Sequence, residues 1–416
     1  MRFALAMHGT RGDVEPCATI GLELLRRGHE VRVGVPPDML DFVQSAGLAP
    51  VPYGPDARGM HDEDFVHDFW NVQTPFKVVR AAKEYLNQVW AEMGRTLTSL
   101  ADGADLLLTG MIQQGLAANV AEYYGIPLAG LHCFPVRVNG QLLPMLPSPL
   151  VRCGISALWW LHWRVTKGAE DAQRRQLGLP KAIEPSTRRI IERGSLEIQA
   201  YDDLCFSGLA AEWAEFADRR PFVGALTLDL AMDADDEVAS WIAAGKPPIY
   251  FGFGSMPVRS PADTVAMISA ACTQLGERAL ICTGTNDVSR IAQFENTKIV
   301  SAVSHAAVFS SCRAVVHHGG AGTTAAGMRA GVPTLILWVT ADQPIWAAAV
   351  KRLKVGCARR FSTTTEESLV AELRRILAPQ YVTRARQVAT QMTKPAESVT
   401  TAADLLEACA SGRRCR

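Results

Sequence analysis

The chain has 416 residues, a length at which two or three domains are the usual expectation. Hydrophobic residues make up 48% of the sequence and charged residues 20%, which allows folded cores and excludes a disordered chain. Lysine plus arginine and aspartate plus glutamate both total 42, so the basic excess needed for sequence-independent nucleic-acid binding is absent. We therefore expect a folded protein with no nucleic-acid partner.

The ten cysteines form no CxxC pair and no regular spacing with histidine, so we predict thiols rather than a zinc site or a disulfide framework. The N-terminal apolar run is shorter than a signal-peptide core. The most apolar later stretch, residues 156–165, is shorter than a membrane span. We expect a cytoplasmic protein that crosses no membrane but is able to associate with the inner face of one.

Short apolar runs alternate with helical patterns in chain order through both halves of the sequence. In the first half the runs lie at 3–7, 31–35, 48–51, 106–109 and 127–131. In the second half they lie at 248–253, 279–282, 299–301, 314–317 and 332–337. This rhythm predicts the α/β fold class, with a doubly wound parallel sheet in each half and a cleft between two domains.

An acidic segment, in which the apolar period fades, separates the two halves. It predicts a domain at 1–226, a linker at 227–245 and a second domain at 246–392. Residues 393–416 read as a C-terminal helix able to cross back to the first domain, followed by a frayed tail. Asp233 and Asp235 have a DxD spacing, but a solvated linker is favoured over a metal site because no strand end fixes these carboxylates. We predict no metal and no cofactor.

A glycine-rich turn follows the strand at 314–317 and opens a helix. Bare amides and the positive end of the helix dipole make such a junction an anion site. Gly319, Gly320 and Gly322 would let a diphosphate approach the backbone, while Thr323 and His318 offer polar groups to it. The alternative is a tight structural turn with a packed histidine.

Asp342 and Gln343 follow the next strand, at the same edge of the sheet. A carboxylate and an amide suit the hydroxyls of a sugar, although an N-cap is the alternative role for Asp342.

The run HHGGAGT followed by DQ resembles the donor-binding signature of family 1 glycosyltransferases, which have the GT-B fold of two Rossmann-like domains facing a cleft. The resemblance implies that His318, Gly320, Gly322 and Thr323 hold the diphosphate of a nucleotide-sugar co-substrate. It implies that Asp342 and Gln343 hold the sugar. FGFGSM resembles the family's other donor loop, which adds Gly254 and Ser255 on the phosphate side.

One position departs from the plant members of that family. They carry a glutamate for the ribose where this chain has Ala326. The nucleotide therefore stays open between dTDP and UDP.

The loop GTRGDVEP resembles the form found in bacterial antibiotic, lipid and sterol glycosyltransferases. The resemblance implies that Asp13 is the base that takes the proton of the acceptor hydroxyl, and Gly12 of this loop joins the donor-binding residues. Capping of the following helix is the alternative for Asp13, and Arg11 would weaken it as a base.

The acceptor site has no motif of its own. His132 at a strand end is one candidate for it, and the helix that carries Trp159, Trp160 and Trp163 is another. These indoles suit an apolar acceptor or a membrane interface, and core packing is an equal alternative.

The whole chain resembles the mycobacterial glycosyltransferases that act on glycopeptidolipids, and also sterol and vancomycin-type antibiotic glycosyltransferases. This resemblance implies an inverting, metal-independent hexosyltransferase that moves a hexose or deoxyhexose, such as rhamnose or 6-deoxytalose, to a hydrophobic or lipid-linked acceptor. A nucleotide-sugar 2-epimerase and a non-catalytic nucleotide-sugar-binding protein are the alternatives.

Overall fold

The computed structural model describes residues 1–57, 75–111, 113–142, 146–254, 260–284, 294–339 and 342–413, without the side chains of 75–83. The chain divides into two compact units. Unit 1 comprises Met1–Leu226 together with Pro395–Arg416, and unit 2 comprises Thr227–Lys394.

Unit 1 is built on a sheet of six parallel strands in the order β3-β2-β1-β4-β5-β6. The strands are β1 (Arg2–Ala6), β2 (Glu30–Val35), β3 (Pro50–Pro52), β4 (Leu106–Thr109), β5 (Leu128–His132) and β6 (Leu196–Gln199). Every residue of β4 and β5 is buried, as expected for a parallel sheet covered on both faces.

Eight α-helices of the described chain belong to unit 1. They are α1 (Arg11–Arg26), α2 (Leu40–Ser45), α3 (Pro75–Ala101), α4 (Gln114–Tyr124), α5 (Ser148–Gln176), α6 (Ser186–Glu192), α7 (Leu209–Glu212) and α15 (Pro395–Ala410). The last of these returns to the first: Arg27 pairs with Asp404 at 2.6 Å, and the ring of His29 lies 2.8 Å from Glu407.

Unit 2 contains a second sheet of six parallel strands, in the order β12-β11-β10-β7-β8-β9. The strands are β7 (Ile249–Gly252), β8 (Ala279–Cys282), β9 (Thr297–Val300), β10 (Ala314–His317), β11 (Thr334–Trp338) and β12 (Gly356–Arg360). The helices are α8 (Asp235–Ala243), α9 (Pro261–Leu275), α10 (His305–Val308), α11 (Ala321–Arg329), α12 (Gln343–Leu353), α13 (Glu366–Ile376) and α14 (Pro379–Ala389).

The two sheets share one topology, because each has its first and fourth strands side by side at the centre. The strand order reverses there, between β1 and β4 in unit 1 and between β7 and β10 in unit 2. Open α/β sheets bind ligands at the carboxyl end of the strands beside such a reversal. We therefore expect a ligand-binding site in the loops that follow these four strands.

Two strands, β6 and β12, were absent from the sequence prediction. The segment expected as a linker contains α8, whose first turn holds three consecutive acids. Acidic side chains are favoured there by the helix dipole. The carboxylate of Asp235 accepts hydrogen bonds from the amides of Met232 and Ser304, both at 2.9 Å, which accounts for one member of the DxD pair.

Within the described residues, no helix is both long and apolar enough to cross a bilayer, and no group of three potential metal-ligating side chains occurs. Among the described cysteines, eight carry free thiols and Cys409 is disulfide-bonded, which corrects the expectation of thiols throughout.

Candidate active site

The turn between β10 and α11 forms an anion-attracting corner in unit 2. Gly320 is the N-cap of α11, and no side-chain hydrogen bond caps the helix in the described structure. The amide of Thr324 is bonded to the Gly320 carbonyl at 2.9 Å. The amides of Ala321, Gly322 and Thr323 precede that bond, so they have no acceptor inside the helix. All three residues are partly exposed, which leaves this end of the helix open to an anion.

Two glycines make this corner possible. Gly319 has φ +102°, and a Cβ added to it would lie 2.8 Å from Cγ2 of Ile336 and 3.2 Å from Cβ of Gln343. A Cβ added to Gly320 would lie 2.8 Å from Nε2 of His318. The corner is thus packed against His318 on one side and Gln343 on the other. The structure brings His318 and the glycine turn, which were predicted for the diphosphate, next to Gln343, which was predicted for the sugar.

His318 lies at the strand reversal of this sheet. A Cβ added to Gly254, in the loop after β7, would lie only 2.8 Å from Cε1 of its ring. Burial lowers the pKa of His318 to about 4, although a hydrogen bond with the Gly252 backbone opposes this shift. Nδ1 is buried and has no hydrogen-bond partner among the described residues. The ring is therefore neutral near pH 7 and has one nitrogen unused.

His317 supports the corner from inside the protein, a role that the sequence analysis did not identify. Its ring is fully buried, and Nδ1 accepts a hydrogen bond from the Gly319 amide at 3.0 Å. Burial, with a smaller contribution from His318, holds the pKa of His317 well below its ordinary value. A neutral ring of fixed tautomer can thus hold the glycine turn. The pair of adjacent histidines was the only sequence signal for this role.

The loop between β11 and α12 carries the two residues predicted for the sugar. Asp342 occupies the N-cap position of α12, but its side chain makes no capping hydrogen bond. Burial raises the pKa of Asp342 to about 6, while hydrogen bonds from its own amide and from Trp346 act in the opposite direction. The side-chain oxygen of Gln343 accepts from the Val339 amide at 2.7 Å, which fixes the loop. The capping alternative thus accounts for the position of Asp342 but does not use its carboxylate.

The structure gives less information on the other positions discussed for donor binding. Ser255 lies outside the described residues. A Cβ added to Gly322 would have Thr227 as its nearest neighbour, at 3.9 Å, so this position is open. Ala326 packs on the apolar cluster beneath α11.

In unit 1, Asp13 lies in the first turn of α1, after the central strand β1. Its Oδ2 accepts a hydrogen bond from the Thr10 amide at 3.0 Å, and the two residues form a capping box. Gly9 makes room for this carboxylate, because a Cβ there would lie 2.3 Å from Oδ2. The capping role weighed for Asp13 is therefore realised. It uses one carboxylate oxygen, and a carboxylate can accept at both.

Arg11, which we expected to weaken Asp13 as a base, contacts other side chains in the structure. The Nε of Arg11 donates to Glu15 at 2.9 Å, and the guanidinium lies 4.6 Å from the centre of the Phe42 ring. Arg11 is thus engaged along the helix by another carboxylate. Gly12, predicted on the donor side, is exposed in the first turn of α1.

His132 is not available to an acceptor, which corrects its prediction as a pocket residue. Its ring is fully buried, with Nε2 2.8 Å from Gln114 and Nδ1 3.3 Å from Gln199. Burial, followed by the charge of Arg137, lowers its pKa to about 3. A residue at the end of a strand is often accessible to a ligand, which was the basis of the prediction. Here the side-chain amides of Gln114 and Gln199 enclose the ring.

The three indoles of α5 do not line one groove. Trp159 is half-buried and donates from Nε1 to the Val136 carbonyl at 2.8 Å. Trp163 is also half-buried and lies beside Glu170, whereas Trp160 is 55% exposed. Residues 159 and 163 are four apart and share a face, while 160 points elsewhere. Two indoles thus pack on unit 1 and one faces solvent.

Comparison with known proteins identifies the family. An uncharacterised glycosyltransferase of Mycobacterium tuberculosis is 64% identical over 419 residues, spanning 100% of both chains. The chain belongs to the glycosyltransferases. Glycosyltransferase GtfE of Amycolatopsis orientalis is 32% identical, over 98% of this glycosyltransferase and 97% of its own length. Residues 3–131 match the N-terminal domain of glycosyltransferase family 28, and residues 279–407 match the C-terminal domain of erythromycin biosynthesis protein CIII-like proteins.

Solved structures confirm the predicted fold class. The calicheamicin glycosyltransferase CalG4 aligns with a TM-score of 0.72 at 18% identity, covering 99% of this chain and 98% of its own. The spinosyn rhamnosyltransferase SpnG aligns at 0.65 and 16% identity, covering 97% and 100%. Glycosyltransferase VinC in complex with dTDP aligns at 0.61 and 17%, covering 99% and 100%. The two parallel sheets are those of the GT-B type. Membership in family 1, rather than family 28, stays a prediction.

Proposed function

We propose that this glycosyltransferase moves a hexose or deoxyhexose from a dTDP- or UDP-sugar to a hydroxyl of a hydrophobic acceptor, with inversion at the anomeric carbon. The acceptor class we favour is a glycopeptidolipid or another cell-envelope lipid, on the strength of the sequence resemblance. Asp13 acts as the base in this proposal.

One observation carries the donor half of the proposal: the imidazole of His318 sits between Gly254 and Gly320 at the strand reversal of unit 2. The first-turn amides of α11 open at the same corner. Together they offer several N–H donors and a dipole to a diphosphate, without requiring a cationic side chain. We propose that these groups balance the charge of the leaving diphosphate and that no metal is needed.

The neighbouring loop supports recognition of the sugar. The Asp342 carboxylate is uncommitted to helix capping and lies one strand away from the corner, and Gln343 packs against Gly319. In this proposal, the carboxylate accepts hydrogen bonds from sugar hydroxyls. Hydrogen bonds to an ionised carboxylate are strong, so they would select hydroxyl position and configuration.

The nucleotide is proposed as dTDP or UDP. Ala326 offers no carboxylate to a ribose 2′-hydroxyl, which removes one reason to require a ribonucleotide. VinC binds dTDP, and SpnG is a rhamnosyltransferase, so both a deoxyribose nucleotide and a deoxyhexose occur on this fold.

In the chemical step, the acceptor oxygen attacks the anomeric carbon as the bond to the diphosphate breaks. Asp13 takes the acceptor's proton, and the α11 corner holds the diphosphate as negative charge develops on it. The capping bond from Thr10 orients the Asp13 carboxylate for this role.

Product analysis with dTDP- and UDP-sugars, offered with cell-envelope lipid extracts, tests the proposal. Transfer of sugar to a lipid, with inverted anomeric configuration by NMR and no loss in EDTA, is the expected result. An epimerised donor without transfer would identify a 2-epimerase instead. Tight binding with no turnover against any acceptor would identify a binding protein.

A further inference from the structure

Helix α5 exposes a continuous apolar stripe on unit 1. Leu150, Leu158, Leu161 and Val165 are 62%, 68%, 54% and 57% exposed, respectively. At about 3.6 residues per turn, these four positions fall within one quarter of the helix circumference. Monomeric proteins rarely leave a contiguous patch of large apolar side chains in water. These four residues, named here the α5 stripe, therefore call for a partner.

The opposite side of the helix is anchored, so the exposure is not that of a loose segment. Ile155 is half-buried, as are Trp159 and Trp163, and Thr166 is buried. Trp159 is fixed by its hydrogen bond to the Val136 carbonyl at 2.8 Å. The spacing of three or four residues between these positions defines one inward face. The α5 stripe is held outward by this packing.

The helix segment that carries the stripe has a basic excess. Residues 146–168 include two arginines and one lysine and no acidic residue, and acids outside this segment pair with two of the three cations. Arg152 pairs with Glu212 at 2.7 Å and Lys167 with Asp171 at 3.1 Å. Arg164 forms no ion pair with any residue described in the structure, and its guanidinium lies 5.7 Å from the centre of the exposed Trp160 ring. An unpaired cation stacked on an indole thus borders the leucines.

We propose that the α5 stripe docks the protein on an anionic lipid surface, with α5 lying in the plane of the membrane. Leucine and valine would enter the acyl boundary, while tryptophan and arginine suit the headgroup level. Arg164, which has no ion pair among the described residues, and the absence of acids in 146–168 make anionic headgroups favourable neighbours. This inference does not depend on the proposed function, because vesicle binding requires no sugar transfer.

Co-sedimentation of the full chain with lipid vesicles, without donor or acceptor, tests the docking. We expect binding to vesicles of phosphatidylcholine mixed with phosphatidylglycerol, and weaker binding to phosphatidylcholine alone. The double substitution Leu158→Gln with Leu161→Gln should lower the partition coefficient by about tenfold or more. Arg164→Gln should weaken binding to the anionic vesicles only. Leu25→Gln, on an α1 leucine that is 46% exposed, is the matched control and should bind as the parent does.

Three results would overturn the proposal: no binding to either vesicle, equal binding by the parent and the double variant, or equal loss in Leu25→Gln. Light scattering tests the alternative that a second copy of the chain covers the α5 stripe. A parent dimer that the double variant loses, without vesicle binding by either protein, would assign the stripe to a second copy of the chain. Circular dichroism of each variant separates these results from misfolding.

Discussion

The ring of His318 occupies the space that a side chain on Gly254 would need. A Cβ at Gly254 would lie 2.8 Å from Cε1 of His318, and Gly254 also has φ +61°. The loop after β7 and the loop after β10 therefore fit together only while residue 254 is glycine.

Gly254→Ala should displace the His318 ring and weaken donor binding. Overpacking of this kind costs about 1–3 kcal/mol, so affinity for dTDP and UDP should fall about tenfold or more by calorimetry. Gly276→Ala is the matched control: it has a similar φ, +65°, but nothing within 4 Å of the added Cβ. Unchanged affinity in Gly254→Ala, or the same loss in both variants, would separate His318 from the donor site.

Asp13→Asn separates the proposed base from the helix cap. Asparagine retains an oxygen for the Thr10 amide, so thermal stability should change little, while turnover should fall on the order of 10²-fold. Asp13→Ala should lose turnover and also about 1 kcal/mol of stability, because the cap is lost. Full turnover in Asp13→Asn would leave capping as the residue's role.

If Asp342 binds the sugar, the affinity for the sugar nucleotide should depend on pH. Burial raises its pKa to about 6, and sugar hydroxyls donating to the carboxylate favour the charged form, so the pKa falls when the donor binds. Donor binding therefore releases a proton near pH 6. The contribution of Asp342 to the affinity for a sugar nucleotide should be present above pH 6 and shrink as the pH falls below it.

Titrations of the parent and of Asp342→Asn with the same dTDP-sugar between pH 5 and 8 measure this contribution, because effects at the phosphate corner are common to both proteins. The ratio of the two affinities should shrink as the pH falls through 6. A ratio that stays constant across pH 6 would remove Asp342 from the sugar site.

His317 should act as a positioning residue through Gly319. His317→Leu leaves the buried Gly319 amide without its acceptor, which costs about 1–3 kcal/mol of stability and should also weaken nucleotide binding. His317→Asn offers an oxygen near the position of Nδ1 and should recover most of the affinity. If both variants lose stability but bind nucleotide normally, the role of His317 is confined to the core.

Much of the fold was predictable because parallel strands buried on both faces have a plain apolar signature. The runs at 106–109, 279–282 and 314–317 coincide with β4, β8 and β10. By contrast, β6 has the sequence LEIQ and β12 has GCARR, and their charged residues broke that signature. Glu197 of β6 is buried between Arg137 and Arg220, partners that are distant in sequence.

The donor corner was predictable for a local reason, since strand, glycine turn and helix are consecutive. The burial of His132 was not predictable, because Gln114 and Gln199 contact its ring only in the folded sheet. The same holds for the indoles of α5, whose division into packed and exposed rings depends on which helix face meets unit 1.

The most direct test of the central claim is a crystal structure of the chain with dTDP bound. We expect diphosphate oxygens within hydrogen-bond distance of the first-turn amides of α11, with the His318 ring against them. A diphosphate bound elsewhere, or a corner filled by the protein's own side chains, would contradict it.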